Sequence, residues 1–294
     1  LSSNASTAKV SKKKFISLSL RNVRSDKDIY SVLRMFKTNI ELPAKLAEHD
    51  QVGKLFCVST DKAANPANLM GASKRLMEMR LCALHSRCDI TFARFANVAF
   101  SDGSLLDGFC KRLSELQPLC FPNNIKRYFV SDRDAATICL LSSVLGQDRD
   151  IMFPVMDATL DSYDFRFLAE SFLGHMGLTP RYCESEKEAR AQMLKISRNW
   201  GKEWPCFAFH SDTDGEKGIE EFYTLAEKPN FDRFSKIGVL TLGFEAELDK
   251  LKYQHLMNNM NNLTLSISEI RSVVSELVPD YIPIITGRNL NDRM

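Results

Sequence analysis

The chain has 294 residues, 44% of them hydrophobic and 26% charged, and its formal net charge is +2. This hydrophobic content can bury the core of one large domain or two smaller ones, and the near balance of charge gives no reason to expect nucleic acid or an anionic membrane as a partner. No run reaches the roughly 18 apolar residues that a membrane-spanning helix needs, so we predict no membrane span.

Eight cysteines are scattered along the chain without a Cys-x-x-Cys pair, and most of them lie in apolar segments. This distribution favours buried free thiols over disulfides or zinc ligands. The histidines lack the spacing of metal ligands, and the acidic stretch at 211–216 departs from a calcium loop because its glycine stands at the wrong position. We therefore expect no metal site and a reducing, cytoplasmic location.

The first part of the chain predicts a tail, a strand and a long helix. Residues 1–14 are polar, small and basic without periodicity, which is typical of a flexible tail. Residues 15–20 alternate apolar residues with serine, as a strand does. Residues 26–49 carry apolar side chains at helical spacing, with Ser25 or Asp26 as a candidate N-cap, and Pro43 is expected to kink or restart this helix.

The next stretch is the one that we expect to carry the chemistry. Residues 54–59 are a short apolar run typical of a buried strand. Residues 60–62 follow at its C-terminal end, which is where open α/β sheets bind ligands. Residues 68–86 are helical by pattern, and Met70 and Lys74 share one face of that helix because they are four residues apart.

Alternation of strands and helices continues to the end of the chain. Residues 90–98 predict a second strand, and a loop at 99–104 opens a helix whose N-terminus can face a phosphate. The last two predicted helices would pack on the rest of the chain or form a subunit contact. In full, this part predicts helices at 105–116, 132–145, 165–176, 185–196, 245–260 and 267–277, and strands at 151–155, 178–183 and 204–209.

Three separated motifs resemble one family in its order. The segment STDKAANPANLMGASKR is followed by ARFANVAFSDGS and then by KRYFV. Together they resemble the polysaccharide-biosynthesis branch of the extended short-chain dehydrogenase/reductases, which holds UDP-N-acetylglucosamine 4,6-dehydratases and related epimerases. Where most of that superfamily has Tyr-x-x-x-Lys, this chain has Met70 and Lys74, as in the subset of these dehydratases with Met for Tyr. The resemblance runs from about Arg21 to about Asp157.

The resemblance implies an α/β fold, with a Rossmann-like doubly wound parallel sheet, a smaller substrate lobe and a helical C-terminal extension. The expected division is a tail at 1–14, a partial NAD(P)-binding domain with the catalytic turn and helix at 15–157, and the substrate lobe with the extension at 158–294. The family's GxxGxxG cofactor loop does not occur in these 294 residues. The N-terminal part of the domain is therefore expected to be missing, as in a fragment, a shortened chain or a degenerate homologue.

The function implied by the resemblance is 4,6-dehydration of a UDP-N-acetylglucosamine-like nucleotide sugar, a lyase reaction that uses NAD or NADP, in polysaccharide or glycan biosynthesis. The partner would be a UDP-sugar, and a homo-oligomer is one expected assembly. Two alternatives stay open: a UDP-sugar epimerase of the same branch, and a non-catalytic homologue unable to bind NAD(P). The missing glycine-rich loop favours the second of these.

The family pattern assigns roles around the polar turn. Asp61 would be the acid towards the C6 hydroxyl, Lys62 the base at C5, and Thr60 the hydrogen-bonding partner of the C4 oxygen. Met70 cannot replace tyrosine in proton transfer, because a thioether neither donates nor accepts a proton. Lys74 would bind the nicotinamide ribose. Without the flanking motifs, the same residues would be read as an ordinary ion pair on a loop and a solvated helix face.

Further residues come from the same resemblance. Asn39 and Ser59 would support cofactor binding, although Asn39 is equally well explained as a buried polar residue that hydrogen-bonds to backbone. Asn97 and Ser104 would contact the sugar nucleotide. Arg127 would bind the diphosphate, because a guanidinium can donate two parallel hydrogen bonds to phosphate oxygens; a surface salt bridge is the alternative for this residue.

Overall fold

The computed structural model describes residues 14–18, 28–84, 88–196, 201–211, 214–243 and 248–285. These residues form three β-sheets with helices packed around them. The N-terminal residues before 14, the 19–27 stretch with the predicted caps Ser25 and Asp26, and the 244–247 start of a predicted helix lie outside the described ranges.

The central sheet has five strands: β1 Lys14–Leu18, β2 Val52–Thr60, β3 Asp89–Phe95, β7 Asp150–Pro154 and β11 Ile237–Thr241. They lie in the order β1-β2-β3-β7-β11. Strands β1 to β3 and β7 are parallel, and β11 pairs antiparallel with β7 at one edge. This sheet confirms the predicted α/β Rossmann-like fold.

Helices cover both faces of this sheet, because neighbouring strand residues point to opposite sides. Leu55 of β2 belongs to the larger core, whereas the next residue, Phe56, packs in a smaller core with Ile138. Ile138 lies on α5, which spans Asp132–Leu145 as predicted, with Ser131 as its N-cap and Gly146 after its last residue. The larger core is covered by α1 (Ile29–Phe36), α2 (Leu42–Ala47), α3 (Leu69–Cys82), α8 (Lys250–Asn261) and α9 (Ile267–Leu277).

The long helix predicted at 26–49 is interrupted rather than kinked. It begins at Ile29 with Asp28 as its N-cap, and a π-helical segment, Lys37–Glu41, joins α1 to α2. In this segment the Leu42 N–H donates to the Lys37 carbonyl, five residues back. Pro43 has no N–H to continue the regular ladder, so the wider turn restarts the helix at the position that proline requires.

The single strand predicted at 90–98 is wrong in one respect: it is two strands in different sheets. Strand β3 ends at Phe95, and Asn97–Val98 form β4, which pairs with β6 (Lys126–Val130). Strand β6 also pairs antiparallel with β8 (Ser162–Asp164). The chain therefore leaves the central sheet at Ala96, and this departure opens a gap at the C-terminal ends of β2 and β3.

A third sheet forms the centre of the second lobe. Its parallel strands are β5 (Leu119–Pro122), β10 (Glu203–Phe209) and β9 (Thr179–Tyr182). Phe109 and Phe121 share a core with Leu173 and Trp204, so this lobe draws residues from both sides of position 157. The division at 157 stays a prediction. The helices of this lobe are α4 (Leu105–Ser114), α6 (Phe165–His175) and α7 (Glu186–Ile196).

The two C-terminal helices, α8 and α9, pack in the larger core. Leu256 of α8 and Val274 of α9 are fully buried with Leu76 of α3. This contact confirms the first of the two alternatives for these helices, which is packing on the parent domain. Within the ranges that the structure describes, no helix is long and apolar enough to cross a bilayer. Five of the eight cysteine thiols are buried, as predicted for free cysteines.

A buried ion cluster joins two strands, a helix and an irregular segment of the chain. Arg94 of β3 is fully buried, and its Nε and Nη2 donate to the two oxygens of Glu78 on α3 at 2.9 and 2.6 Å. Its Nη1 donates to Glu227 at 2.9 Å and to the Phe222 carbonyl at 2.8 Å. The Ser59 hydroxyl, at the end of β2, donates to Glu78 at 2.7 Å. Because buried charges are costly unless they are fully paired, this cluster fixes the mutual positions of these elements.

Glu227 is the member of the cluster that a single change can test. Burial alone would raise its pKa, but the charge and hydrogen bonds of Arg94, aided by Arg75, lower that pKa to about 2. A depressed carboxylate pKa stabilises the fold fully above the ordinary value near 4.5, and this stabilisation is lost as the pH falls towards 2. The cluster therefore makes an acid-labile contribution to stability.

We expect Glu227→Gln to lower the free energy of unfolding by about 3 kcal/mol near pH 7. The difference from the unmodified protein should shrink as the pH falls from about 4.5 to about 2, and denaturant titrations across this range measure it. Glu221→Gln is the matched control, because Glu221 is exposed and lies in the same segment; it should change stability by less than about 0.5 kcal/mol. Equal stability of the Glu227→Gln variant and the unmodified protein at pH 7 would contradict this account.

Candidate active site

A cavity of about 260 Å³ lies in the gap at the C-terminal ends of β2 and β3. Its walls come from the end of β2 and the turn that follows, from α3, and from β4 with the loop before α4. Eight of the predicted site residues line it: Ser59, Thr60, Asp61, Lys62, Met70, Lys74, Asn97 and Ser104. The structure therefore brings together most of the residues that the resemblance selected.

Asp61 is the most deeply placed polar group of the turn, with 1% of its side chain exposed. Its Oδ1 accepts hydrogen bonds from the Thr60 hydroxyl at 2.8 Å, the Lys62 N–H at 2.8 Å and the Lys62 Nζ at 3.0 Å. Its Oδ2 is buried and has no hydrogen-bond partner among the described residues. One oxygen is thus saturated by the protein, whereas the other makes none of these hydrogen bonds.

Lys62 lies between two carboxylates. Its Nζ is 3.0 Å from Asp61 Oδ1 and 3.7 Å from Glu220 Oε1. Burial alone would lower the pKa of Lys62, but the charges of Asp61 and Glu220 and the hydrogen bond to Asp61 outweigh burial and raise that pKa. Lys62 is therefore an ammonium group at neutral pH in this arrangement. Glu220 is a residue that the sequence did not single out.

Met70 and Lys74 both reach the cavity from the first two turns of α3, which confirms that they share a face. Asn68 caps this helix by accepting a hydrogen bond from the Gly71 N–H at 2.9 Å. Lys74 is buried, and its Nζ donates to the Val58 carbonyl at 3.0 Å. Burial lowers the pKa of Lys74 to about 8, against the smaller opposing effects of Cys57 and Glu78.

Gly71 sets the distance between α3 and the turn. A Cβ atom on this residue would lie 2.3 Å from the Lys62 carbonyl oxygen, which no side chain could tolerate without a backbone shift. Gly71 therefore allows the helix that carries Met70 and Lys74 to contact the backbone of Lys62 in the turn.

Asn39 and Arg127 do not line the cavity. Asn39 is buried, and its Nδ2 donates to the Ser73 hydroxyl at 3.0 Å, so it supports α3 from behind. Arg127 Nη1 donates to the carbonyls of Lys217 at 2.9 Å and Gly218 at 3.3 Å. Its proposed contact with a diphosphate stays a prediction, and it would require the guanidinium to exchange these partners for phosphate oxygens.

Asn97 and Ser104 line the cavity from β4 and from the start of α4. Asn97 Nδ2 donates to the Tyr128 carbonyl at 3.2 Å, and the Ser104 hydroxyl accepts from the Asp107 N–H at 3.2 Å as the N-cap of α4. Between them, Phe100 is exposed and has a positive φ of 58°, which is rare for a bulky residue. A strained backbone leaves no signal in a residue pattern, and Phe100 is not among the residues that line the cavity.

The second feature that the sequence did not reveal is the 214–227 segment, which contains no helix or strand. Gly215, with φ of 70°, accepts a hydrogen bond at its carbonyl from Asn68 Nδ2 at 3.2 Å. Lys217 Nζ donates to the Ala64 carbonyl at 3.1 Å. The segment therefore supports both the cap of α3 and the turn, and it supplies Glu220 and Glu227.

Comparisons with known proteins point in the same direction as the geometry. Residues 27–195 match the family described as "Polysaccharide biosynthesis protein". The capsular polysaccharide biosynthesis protein CapD of Staphylococcus aureus is 33% identical over 112 residues, which are 37% of this chain and 19% of CapD. A UDP-glucose 4-epimerase of Rickettsia akari is 31% identical over 111 residues, 36% of this chain and 33% of that protein. The matched part thus spans only a fifth to a third of these relatives.

Solved structures share the fold at low identity. Pen from Bacillus thuringiensis is similar with a TM-score of 0.56 and 18% identity, covering 77% of this chain and 65% of Pen. DesIV, a dTDP-glucose 4,6-dehydratase from Streptomyces venezuelae solved with NAD, has a TM-score of 0.50 and 15% identity, covering 90% of this chain and 76% of DesIV. Likeness at this level establishes the Rossmann-like fold and nothing finer.

The contact between Gly71 and the Lys62 backbone predicts that Gly71→Ala lowers the free energy of unfolding by about 1–3 kcal/mol, because the new methyl group overpacks the turn. Gly108→Ala is the matched control: Gly108 is also helical, and a Cβ there meets nothing within 4 Å. That variant should gain about 0.5–1 kcal/mol from helix propensity. Denaturant unfolding measures both, and a similar response at the two glycines would refute the close approach.

Proposed function

Because the chain belongs to the polysaccharide biosynthesis protein family, we propose that it modifies a nucleotide sugar, with 4,6-dehydration of UDP-N-acetylglucosamine as the preferred reaction. One observation carries the proposal. The Asp61–Lys62 pair lines the same cavity as Met70 and Lys74, and its carboxylate is buried with one oxygen unpartnered among the described residues. Proton-transfer groups are thus concentrated where the thioether that replaces tyrosine can transfer none.

The proton work of the elimination falls to the ion pair. In a 4-keto sugar the C5 proton is acidic, and neutral Lys62 would take it while protonated Asp61 gives its proton to the departing C6 hydroxyl as water forms. The outcome is Lys62 as ammonium and Asp61 as carboxylate, which is the arrangement found at 3.0 Å. A shift of one proton from Lys62 to Asp61 along that hydrogen bond regenerates the base and the acid together, with no change in net charge.

The cavity suits one end of a nicotinamide cofactor. Lys74 is a buried ammonium group with three donors, one of which reaches Val58, so ribose hydroxyls would complete its hydrogen bonds. Thr60 lines the same cavity and would orient the C4 oxygen of the sugar. When bound, the cofactor supplies oxidation at C4 and later reduction at C6. The family's GxxGxxG loop, which would receive the adenosine diphosphate end, does not occur in these 294 residues.

Two other functions stay open. The match to UDP-glucose 4-epimerases favours an epimerase, which would begin with the same oxidation at C4 but would lose no water. The other is a chain that binds the UDP-sugar without transforming it. The cavity volume, below the roughly 300–1,000 Å³ of most ligand pockets, is consistent with a site for the reacting sugar rather than the whole nucleotide.

The test is to incubate the chain with UDP-N-acetylglucosamine and NAD or NADP and to weigh the products by mass spectrometry. A product lighter by one water indicates dehydration, and an isomer of unchanged mass indicates epimerisation. We expect Asp61→Asn and Lys62→Met each to lower the rate by about 10²–10⁴-fold, the usual contribution of a general acid or base. Lys187→Met, on the exposed surface of α7, is the control and should leave the rate unchanged.

Calorimetric titration with the UDP-sugar separates the remaining cases. Binding without any product, with both cofactors present, would favour the non-catalytic alternative. If the chain neither binds the UDP-sugar nor forms a product, the proposed function is wrong.

A further inference from the structure

Lys62 has a second carboxylate partner that belongs to a distant part of the chain. Glu220, in the 214–227 segment, has 3% of its side chain exposed, and its Oε1 is 3.7 Å from Lys62 Nζ. Asp61 contacts the same ammonium group from within the turn at 3.0 Å. The lysine is therefore held between a carboxylate next to it in sequence and one that only the folded chain provides.

Glu220 is placed to act through charge rather than through a tight hydrogen bond. Besides Lys62, two further cations lie close to it: Arg127 Nη2 at 3.9 Å from Oε1, and Lys217 Nζ at 3.8 Å from Oε2. Its Oε2 is buried and has no hydrogen-bond partner among the described residues. Burial and the charge of Asp61 raise the pKa of Glu220, whereas the charges of Lys62, Arg127 and Lys217 oppose that rise, so these three cations favour its carboxylate form.

We propose that Glu220 is a positioning residue for Lys62: its carboxylate holds the amine at the cavity wall and stabilises the positive charge that forms on Lys62 when this residue takes a proton from the substrate. The inference rests on the proposed function for its consequence in the reaction. A buried carboxylate here stabilises the charged form of a base, as the aspartate of the Ser-His-Asp triad does for its histidine.

The charges around Lys62 give the direction of the effect. Burial and Arg127 lower the pKa of Lys62, whereas Asp61 and Glu220 raise it, and the two carboxylates prevail. Removing the charge of Glu220 leaves Asp61 alone against burial and Arg127. The pKa of Lys62 must then fall, so at a fixed pH a larger fraction of Lys62 is the free amine.

The test is the titration of Lys62 itself, which needs neither substrate nor cofactor. Trace acetic anhydride acetylates free amines, and peptide mass spectrometry gives the rate at Lys62 as a function of pH in the full chain. In Glu220→Gln we expect the titration to move to lower pH, with a several-fold faster acetylation of Lys62 at a fixed pH below the midpoint. Glu221→Gln removes an exposed charge one residue away and should leave the Lys62 titration in place.

Each outcome decides the proposal. A folded Glu220→Gln protein, verified by circular dichroism, in which Lys62 titrates as in the unmodified chain would overturn it, since a merely structural carboxylate predicts that result. If the glutamine variant does not fold, Glu220→Asp decides, because it moves the carboxylate away by one methylene. A shift of the Lys62 titration to lower pH in that variant supports the role, and no shift rejects it. A shifted Lys62 in a chain that binds no UDP-sugar would leave the positioning role intact and remove only the proposed function.

Discussion

The pairing of Arg94 with Glu78 and Glu227 is the constraint on which the rest of the site depends. A guanidinium with no exposure can exist inside the protein only where carboxylates and carbonyls occupy its donors. Here the acceptors come from α3 and from the 214–227 segment. Glu78 also accepts a hydrogen bond from the Ser59 hydroxyl at the end of β2. A strand end, a helix and a loop thus cannot move apart without leaving a buried charge unpaired.

A second group of charges, which includes Lys62 and Glu220, lies at the cavity. The 214–227 segment contains no helix or strand, yet it supplies one carboxylate to each group: Glu227 pairs with Arg94, and Glu220 pairs with Lys62. Irregular segments that carry functional groups need a rigid support. In this protein the support comes from the ion pair of Glu227 and from the hydrogen bonds of Gly215 and Lys217, which explains how a loop can hold a carboxylate within 4 Å of a lysine on a different element.

The sequence predicted the parts of this site that are local and missed those that are not. Strand β2, the polar turn and the shared face of Met70 and Lys74 follow from short-range pattern, and the structure confirms them. The passage of the chain out of the central sheet at Ala96 could not be predicted, because the apolar pattern runs on through Val98 while the hydrogen-bonding partner changes. Strand β11 was missed for a similar reason: Gly238 weakens its pattern, and only the fold reveals that the Phe153 ring occupies the space of the absent side chain.

The two lysines of the cavity show how position alone separates their chemistry. Lys74 is buried with a carbonyl oxygen as its hydrogen-bond partner, so burial prevails and its pKa falls to about 8. Lys62 is flanked by two carboxylates, so their charges prevail and its pKa rises. Groups of one type with pKa values pushed apart are typical of sites that divide acid and base work.

Under the proposed function, the strong proton affinity of Lys62 favours the step in which it takes the C5 proton. The same affinity disfavours the earlier step, in which Lys62 must pass its own proton to Asp61. The neighbouring carboxylate that makes this transfer short is therefore as necessary to the lysine as the lysine is to the reaction, and Met70, a thioether on the adjoining helix face, takes no part in the proton transfer.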